Sequence, residues 1–169
     1  LQGYIAYKPD AQADRLANHR SHGFTEPGSA LLADGSFLVM LRTTDGLGVG
    51  PLYASRSTDA GRTWSAPAVV NASGVMPRLL QLGNGVLVLS YGRPGVDLRF
   101  SFDGTGTTWS EPLPLVPLTS TNIQADTCGY TSLLPLTPNS FLIAYSWFKR
   151  PGTDGQPHKA VLVRRVTLR

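Results

Sequence analysis

The stretch Ser57-Thr58-Asp59-Ala60-Gly61-Arg62-Thr63-Trp64 predicts a tight β-turn, because a short polar run here separates two strand-like apolar segments. The Asp59 carboxylate can accept backbone N–H bonds within its own turn. Gly61 can adopt the positive φ that a chain reversal needs, and Trp64 offers a large apolar face that fixes the hairpin onto a sheet. The residues with a structural part in this turn are Ser57, Asp59, Gly61, Thr63 and Trp64.

A second copy of the motif follows, and its Trp109 lies 45 positions after Trp64. It runs from Ser101 to Trp109 and carries one extra residue in the turn. A repeat of short strands with a period in the forties is typical of β-propellers. The structural residues of the second turn are Ser101, Asp103, Gly106, Thr108 and Trp109.

Both copies resemble the Asp box of the sialidase (neuraminidase) superfamily, the BNR repeat. The first copy matches Ser-x-Asp-x-Gly-x-Thr-Trp in full, and the second departs from it by its insertion. The resemblance implies an all-β fold, a β-propeller of the six-bladed sialidase type. It also implies a secreted or periplasmic protein. The Asp box is a structural turn on the outer part of a blade, so it indicates the fold and not the function.

Composition narrows the function classes. The net charge of +4 comes from 12 Arg and only 3 Lys among the 169 residues. The arginines are scattered with no nucleic-acid-reading motif beside them, so we expect no nucleic acid partner. No run of 18 apolar residues exists, so we expect no membrane span. His19 and His22 have no third ligand nearby, and we expect no metal and no cofactor. Cys128 is the single cysteine and is expected to be buried.

Three segments align by their turns, and each reads as strand, turn, strand. Near-continuous apolar runs predict inner strands covered on both faces. The predicted blades span about 24–75, 76–128 and 129–169, with residues 1–23 as the end of a preceding blade plus a loop. The chain would thus supply about three four-stranded blades, although the third unit ends after three strands without a second motif. Such an arc does not close, so we expect a missing N-terminal half-propeller or a second copy of the chain as partner.

The alignment also brings polar residues into one register. Glu26, Met76 and Tyr130 each lie nine residues before the turn position of their unit, while Arg42 and Arg93 lie seven and eight residues after it. Equal register in a propeller means equal height and radius, so these side chains are expected to converge on one pocket. Arginine forks bind carboxylates bidentately, and a Tyr hydroxyl paired with a Glu base can act as a nucleophile. The pattern suits an acidic-sugar glycan.

The sialidase resemblance implies a role for each of these residues. In that family a Tyr nucleophile pairs with a Glu, and arginines hold the substrate carboxylate. Glu26, Arg42, Arg93 and Tyr130 follow the family's chain order, and the segment from Gly129 to Leu133 looks like its Gly-Tyr-Ser segment. Tyr130 and Glu26 are therefore the expected catalytic pair. Arg42 and Arg93 are the expected substrate-binding residues of a retaining exo-glycoside hydrolase acting on terminal sialic acid or a related acidic sugar.

Two parts of the family pattern are missing from this chain. No Arg-Ile-Pro motif and no acidic residue in the context of the family's Asp acid/base are present. The chain therefore resembles the C-terminal half of the enzyme, and we expect little turnover from it alone. The alternative is a non-catalytic Asp-box propeller that binds glycans or proteins and keeps the pocket as a relic.

Overall fold

The computed structural model describes residues 23–43 and 50–169. This part of the chain contains eleven β-strands and no helix, so the all-β prediction is confirmed for it. It likewise holds no helix that could cross a membrane. His19 and His22, and nearly all of the predicted preceding blade at residues 1–23, lie outside the described residues.

The strands form three antiparallel sheets in which chain neighbours pair with each other. Sheet A contains β1 (Phe24–Leu31), β2 (Phe37–Thr43), β3 (Leu52–Ser57) and β4 (Ala68–Asn71). Sheet B contains β5 (Val75–Gln81), β6 (Leu87–Gly92), β7 (Val96–Ser101) and β8 (Leu113–Val116). Sheet C contains β9 (Thr131–Thr137), β10 (Ser140–Pro151) and β11 (Pro157–Thr167). Sheet C therefore has three strands and not the four of a complete predicted unit.

Sheet B lies between the other two sheets. Its first strand, β5, contacts both β1 and β9, the first strands of sheets A and C. One apolar core fills the space between sheets A and B, with Met40 and Leu52 packing against Leu89 and Tyr91. A second core lies between sheets B and C and includes Val88, Leu98, Phe141 and Ile143. The continuous apolar runs of the inner strands are thus explained, because sheet B is covered on both faces.

The two Ser-x-Asp turns connect β3 to β4 and β7 to β8. In the first, the Asp59 carboxylate accepts hydrogen bonds from the Ser57 hydroxyl (2.8 Å), the Thr63 N–H (2.8 Å) and the Thr63 hydroxyl (2.6 Å). The Trp64 indole N–H donates to the Gly61 carbonyl at 3.1 Å. Bonds from the Thr63 hydroxyl, then its N–H, lower the pKa of Asp59 to about 2.

The second turn repeats this arrangement despite its extra residue. Asp103 accepts from the Ser101 hydroxyl at 2.6 Å and from the Thr108 hydroxyl at 3.2 Å, and the Trp109 indole donates to the Gly106 carbonyl at 3.0 Å. The bond from Ser101, then that from the Thr105 N–H, lowers the pKa of Asp103 to about 2. Gly104 and Gly106, with φ of 69° and 67°, accommodate the insertion.

Candidate functional site

All four predicted site residues lie at the same end of the sheets, opposite the Ser-x-Asp turns. Arg42 lies near the end of β2, where it pairs with Thr25 at the start of β1. Arg93 directly follows β6. Tyr130 directly precedes β9. Side-chain contacts connect these strand ends, from sheet A to sheet B through Glu26 and from sheet B to sheet C through Arg93.

Glu26 connects sheet A to sheet B. Its Oε1 accepts a hydrogen bond from Arg42 Nη1 at 2.5 Å, and its Oε2 accepts one from the backbone N–H of Met76 on β5 at 3.0 Å. Glu26 and Met76 each precede a proline and have positive φ, 45° and 47°, where the register of their strands shifts. A β-bulge in each inner strand thus presents the equivalent residue of each repeat to this end.

Arg42 is the most buried member of the site. Its side chain is 10% exposed, that of Glu26 is 23% exposed, and the Arg42 Nε is buried without a hydrogen-bond partner. A buried guanidinium needs a nearby carboxylate to offset its desolvation. The Glu26 carboxylate supplies that charge, so Arg42 is largely committed to an internal ion pair.

Arg93 and Tyr130 form a second pair between sheets B and C. A Cβ on Gly92 would lie 2.2 Å from the Gly129 Cα, so only a glycine allows the two segments to approach this closely. Arg93 Nε donates to the Cys128 carbonyl at 3.1 Å, and its guanidinium carbon lies 5.6 Å from the Tyr130 ring centroid. This distance permits a cation–π interaction, and Tyr130 remains 44% exposed.

The site residues therefore occur as two pairs, Arg42 with Glu26 and Arg93 with Tyr130. Both oxygens of the Glu26 carboxylate have partners, and none of the hydrogen bonds among the described residues joins Glu26 to Tyr130. Each carboxylate oxygen carries two lone pairs, so Glu26 retains the capacity to accept a further bond. The sequence predicted the residues at this end, but it predicted a Tyr130–Glu26 partnership that the hydrogen bonds do not include.

A buried aspartate that sequence analysis missed holds the segment before Tyr130. Asp126 accepts from the Thr119 hydroxyl at 2.5 Å and the Thr119 N–H at 2.9 Å, and Lys149 Nζ lies 3.0 Å from it. Burial acts to raise the pKa of Asp126, but the bonds from Thr119 and Lys149 outweigh it and the pKa is lowered. Since Thr119 and Lys149 are 30 residues apart, no short motif signals this anchor.

Two more groups stand close to the second pair. Arg78 on β5 is half-buried, and its side chain has no ion pair or hydrogen bond within residues 23–43 and 50–169. Its strand partner Ser90 hydrogen-bonds to Thr131, the residue after Tyr130, at 2.6 Å. Cys128 is half-buried, which corrects its predicted burial, and its Sγ lies 2.9 Å from the Ser146 hydroxyl. The sequence analysis did not single out Arg78, although a lone cation inside the largely apolar run of residues 76–82 could have indicated it.

No residues that would form a metal site of three or more His, Cys, Asp or Glu occur in the described part of the chain. The ionisable groups of the two pairs are two guanidinium groups, a carboxylate and a phenol. Such groups can hold an anion and exchange a proton.

Comparison with known proteins gives no match to a family model or to a curated protein sequence. Solved structures do match. A Dyadobacter fermentans protein of unknown function superposes with a TM-score of 0.64 at 24% identity, over 86% of this chain and 39% of its own. A Hadza microbial sialidase superposes with a TM-score of 0.54 at 20% identity, over 86% of this chain and 32% of its own.

A Penicillium chrysogenum α-L-arabinanase, solved with arabinobiose, also matches, with a TM-score of 0.54 at 15% identity over 85% of this chain and 46% of its own. The chain thus spans less than half the length of each of these structures. At these identities the similarity establishes a shared fold. The chain has the fold of part of several larger proteins, and carbohydrate-active enzymes are among them.

Proposed function

We propose that the chain supplies part of a glycan site, and that this site is a sialidase-like one for a terminal acidic sugar. In this proposal sheets A, B and C are three blades of a six-bladed β-propeller, and the strand ends that carry the two pairs face its central axis. The supporting observation is the placement of Glu26, Arg42, Arg93 and Tyr130 at one end of adjacent sheets. The similarity to sialidase and arabinanase structures supports a glycan ligand.

Arg93 is the proposed main contact for the substrate carboxylate. Within the described ranges its side chain uses only Nε, on the Cys128 carbonyl, so the two terminal nitrogens can form a bidentate pair with a carboxylate. Arg42 has the Glu26 carboxylate on one terminal nitrogen, which offsets much of its charge, so it is the secondary contact. Arg78 has no partner among the described residues and adds a further cation beside β9. An anionic sugar would therefore be favoured over a neutral one.

Tyr130 is the proposed nucleophile. Its hydroxyl oxygen would form a bond to the anomeric carbon while the glycosidic C–O bond breaks, and its proton would pass to the Glu26 carboxylate. A neutral phenol avoids the repulsion that a carboxylate nucleophile would meet from an anionic sugar. The nearby Arg93 guanidinium stabilises the phenolate that develops as the proton leaves. Water would later cleave the glycosyl–tyrosine bond, which gives retention of configuration.

The leaving alcohol needs a proton, and the sequence has no acidic residue in the context of the sialidase family's Asp acid/base. We therefore propose that the general acid comes from outside the chain. The test uses a sugar whose leaving group needs no proton: a sialosyl fluoride with a second fluorine at C3, which slows hydrolysis of the covalent intermediate. We expect one covalent adduct on the intact chain, located on Tyr130 by peptide mass spectrometry.

The Tyr130→Phe variant is the matched control, and it should fold as the parent does and take no label. Labelling of another residue, or equal labelling of the variant, would remove Tyr130 from the nucleophile role. A parallel titration with sialic acid and with arabinobiose reports binding without chemistry. Preference for the neutral sugar would contradict the acidic-sugar part of the proposal.

The second candidate is a non-catalytic glycan-binding propeller. The observation that favours it is that both Glu26 oxygens are already occupied, by Arg42 and by the Met76 N–H, so the base lacks a direct link to Tyr130. Binding of sialic acid without labelling of Tyr130 would select this function.

A further inference from the structure

The hairpin between β10 and β11 extends sheet C beyond the level of the candidate site. Arg93 and Trp147 each lie eight residues after the turn position of their unit, so Trp147 is at the level of Arg93. In sheet B the strand ends just before Arg93, whereas β10 continues to Pro151, which pairs with Pro157. At about 3.3 Å per residue, the hairpin reaches roughly 13 Å past that level.

The base of the hairpin is fixed to the segment that precedes Tyr130. The Phe148 N–H donates to the Asp126 carbonyl at 2.7 Å, and Lys149 Nζ lies 3.0 Å from the Asp126 carboxylate. Near the tip, the Gly152 N–H donates to the Gln156 carbonyl at 2.8 Å. The hairpin is therefore held in a defined position relative to Tyr130.

The hairpin turns two basic side chains toward sheet B. Arg150 and His158 are paired across the two strands, so they lie on the same face. His158 alternates with Ala160 and Leu162 along β11, and Leu162 packs against the apolar core between sheets B and C. Arg150 and His158 thus lie on the side of sheet C where sheet B carries Arg93.

A cavity of about 350 Å³ lies at this part of the hairpin, and it is lined by Arg150, Pro151, Gly152, Thr153, Asp154 and His158. Both Asp154 carboxylate oxygens lie 2.9 Å from His158 Nε2. A Cβ on Gly152 would lie 2.3 Å from His158 Cδ2, so a glycine is needed for the imidazole to lie over this backbone. The bond to His158, then that from the Gln156 N–H, lowers the pKa of Asp154.

The cavity offers donors and acceptors that have no other use in the described part of the chain. The Arg150 guanidinium and the Thr153 hydroxyl have no hydrogen bond there, and the ionised Asp154 carboxylate has lone pairs to spare. Neighbouring donors and acceptors match the adjacent hydroxyls of a pyranose. Since the Asp154 charge opposes that of Arg150, the cavity suits a neutral sugar better than a second anion. Its volume lies within the range of about 300–1,000 Å³ of ligand pockets.

We propose that this cavity binds a neutral sugar unit of the glycan whose terminal acidic sugar is held by Arg93. The inference rests on the proposed function, because it places both sugars on one ligand. The roughly 13 Å by which the hairpin passes the level of Arg93 puts the bound unit further along the chain than the terminal sugar. The hairpin then makes the site selective for an oligosaccharide over a single acidic sugar.

Titration of the 169-residue chain with 3′-sialyllactose and with the methyl glycoside of sialic acid tests the proposal. We expect the trisaccharide, which adds two neutral sugars, to bind about tenfold more tightly. Arg150→Ala and Asp154→Ala should each remove this gain and leave the affinity for the methyl glycoside unchanged. Lys159→Ala is the matched control, since Lys159 lies on the opposite face of β11 from His158, and it should keep the gain. Equal affinity of the parent for the two ligands, or a gain that persists in both cavity variants, would overturn the proposal.

A third ligand separates failure of this proposal from failure of the proposed function. If neither sialoside binds, the acidic-sugar site is refuted, and lactose alone then decides about the cavity. Lactose at millimolar concentration should shift the NMR signals of the His158 ring, assigned by their loss in His158→Gln, and Arg150→Ala should weaken the shift. Unchanged His158 signals in the parent would overturn the proposal in that case.

Discussion

The two ends of the sheets differ in how their polar groups are satisfied. At the end with the Ser-x-Asp turns, Asp59 and Asp103 accept several hydrogen bonds each from residues within five positions along the chain. At the other end, Glu26 bonds to residues 16 and 50 positions away, and the Arg42 Nε is buried without a partner. One end is built from self-contained turns, and the other depends on the assembly of neighbouring sheets.

Backbone conformation follows the same division. Among the described residues, four non-glycine residues have positive φ, and three of them, Glu26, Met76 and Arg93, lie at the end with the candidate site. Left-handed conformations cost about 1–3 kcal/mol for such residues and persist where surrounding structure imposes them. The comparison teaches that polar groups are satisfied locally at the turn end, while strain and incompletely paired charge are concentrated where we propose the glycan binds.

The largest effect is expected at the buried ion pair. Glu26→Ala leaves Arg42 without its charge partner and the Met76 N–H without an acceptor, so we expect a loss of about 2 kcal/mol in the free energy of unfolding. Urea denaturation measures it. Arg42→Met combined with Glu26→Ala should lose less than the sum of the single variants. The exposed Glu111 is the control. An equal loss in the free energy of unfolding in Glu111→Ala would show that the ion pair stabilises the fold no more than a surface glutamate does.

A different outcome is expected for the Arg93–Tyr130 pair. Arg93→Ala should lower the affinity for sialic acid about tenfold, because a bidentate contact is lost, while the free energy of unfolding changes by less than about 1 kcal/mol. Arg62→Ala removes the same charge at the turn end and should leave binding unchanged. Isothermal titration and urea denaturation measure the two quantities. A loss of about 2 kcal/mol in the free energy of unfolding of Arg93→Ala would show that Arg93, like Arg42, mainly stabilises the fold, and it would contradict the proposed difference between the two pairs.

The smallest effect is expected at the turns and appears only in acid. The pKa of Asp59 is about 2 in the fold against about 3.9 in an unfolded chain. Ionised Asp59 therefore stabilises the fold above about pH 4, and this stabilisation is lost as the pH falls through about 2. The melting temperature should fall over that range, and less steeply in Asp59→Asn. Asp103→Asn should repeat the result, whereas an unchanged pH profile in both would refute it.

The sequence was informative wherever an interaction is local. The turn from Ser57 to Trp64 closes on itself, and its copy at Ser101 to Trp109 tolerates an insertion because glycines absorb it. Apolar runs bounded by such turns predicted strands, and the three repeated units correspond to three antiparallel sheets. Shared register also predicted that Glu26, Arg42, Arg93 and Tyr130 belong to one end of the sheets.

Tertiary structure determined which of these side chains contact each other. Glu26 meets Arg42 and β5 because two inner strands bulge side by side, and Arg93 meets Tyr130 because Gly92 and Gly129 let two sheets approach. The sequence by itself determined the all-β class, the turns and the register, since these depend on residues a few positions apart. Partners and burial were fixed only by packing between sheets, because that packing joins residues that no local pattern connects.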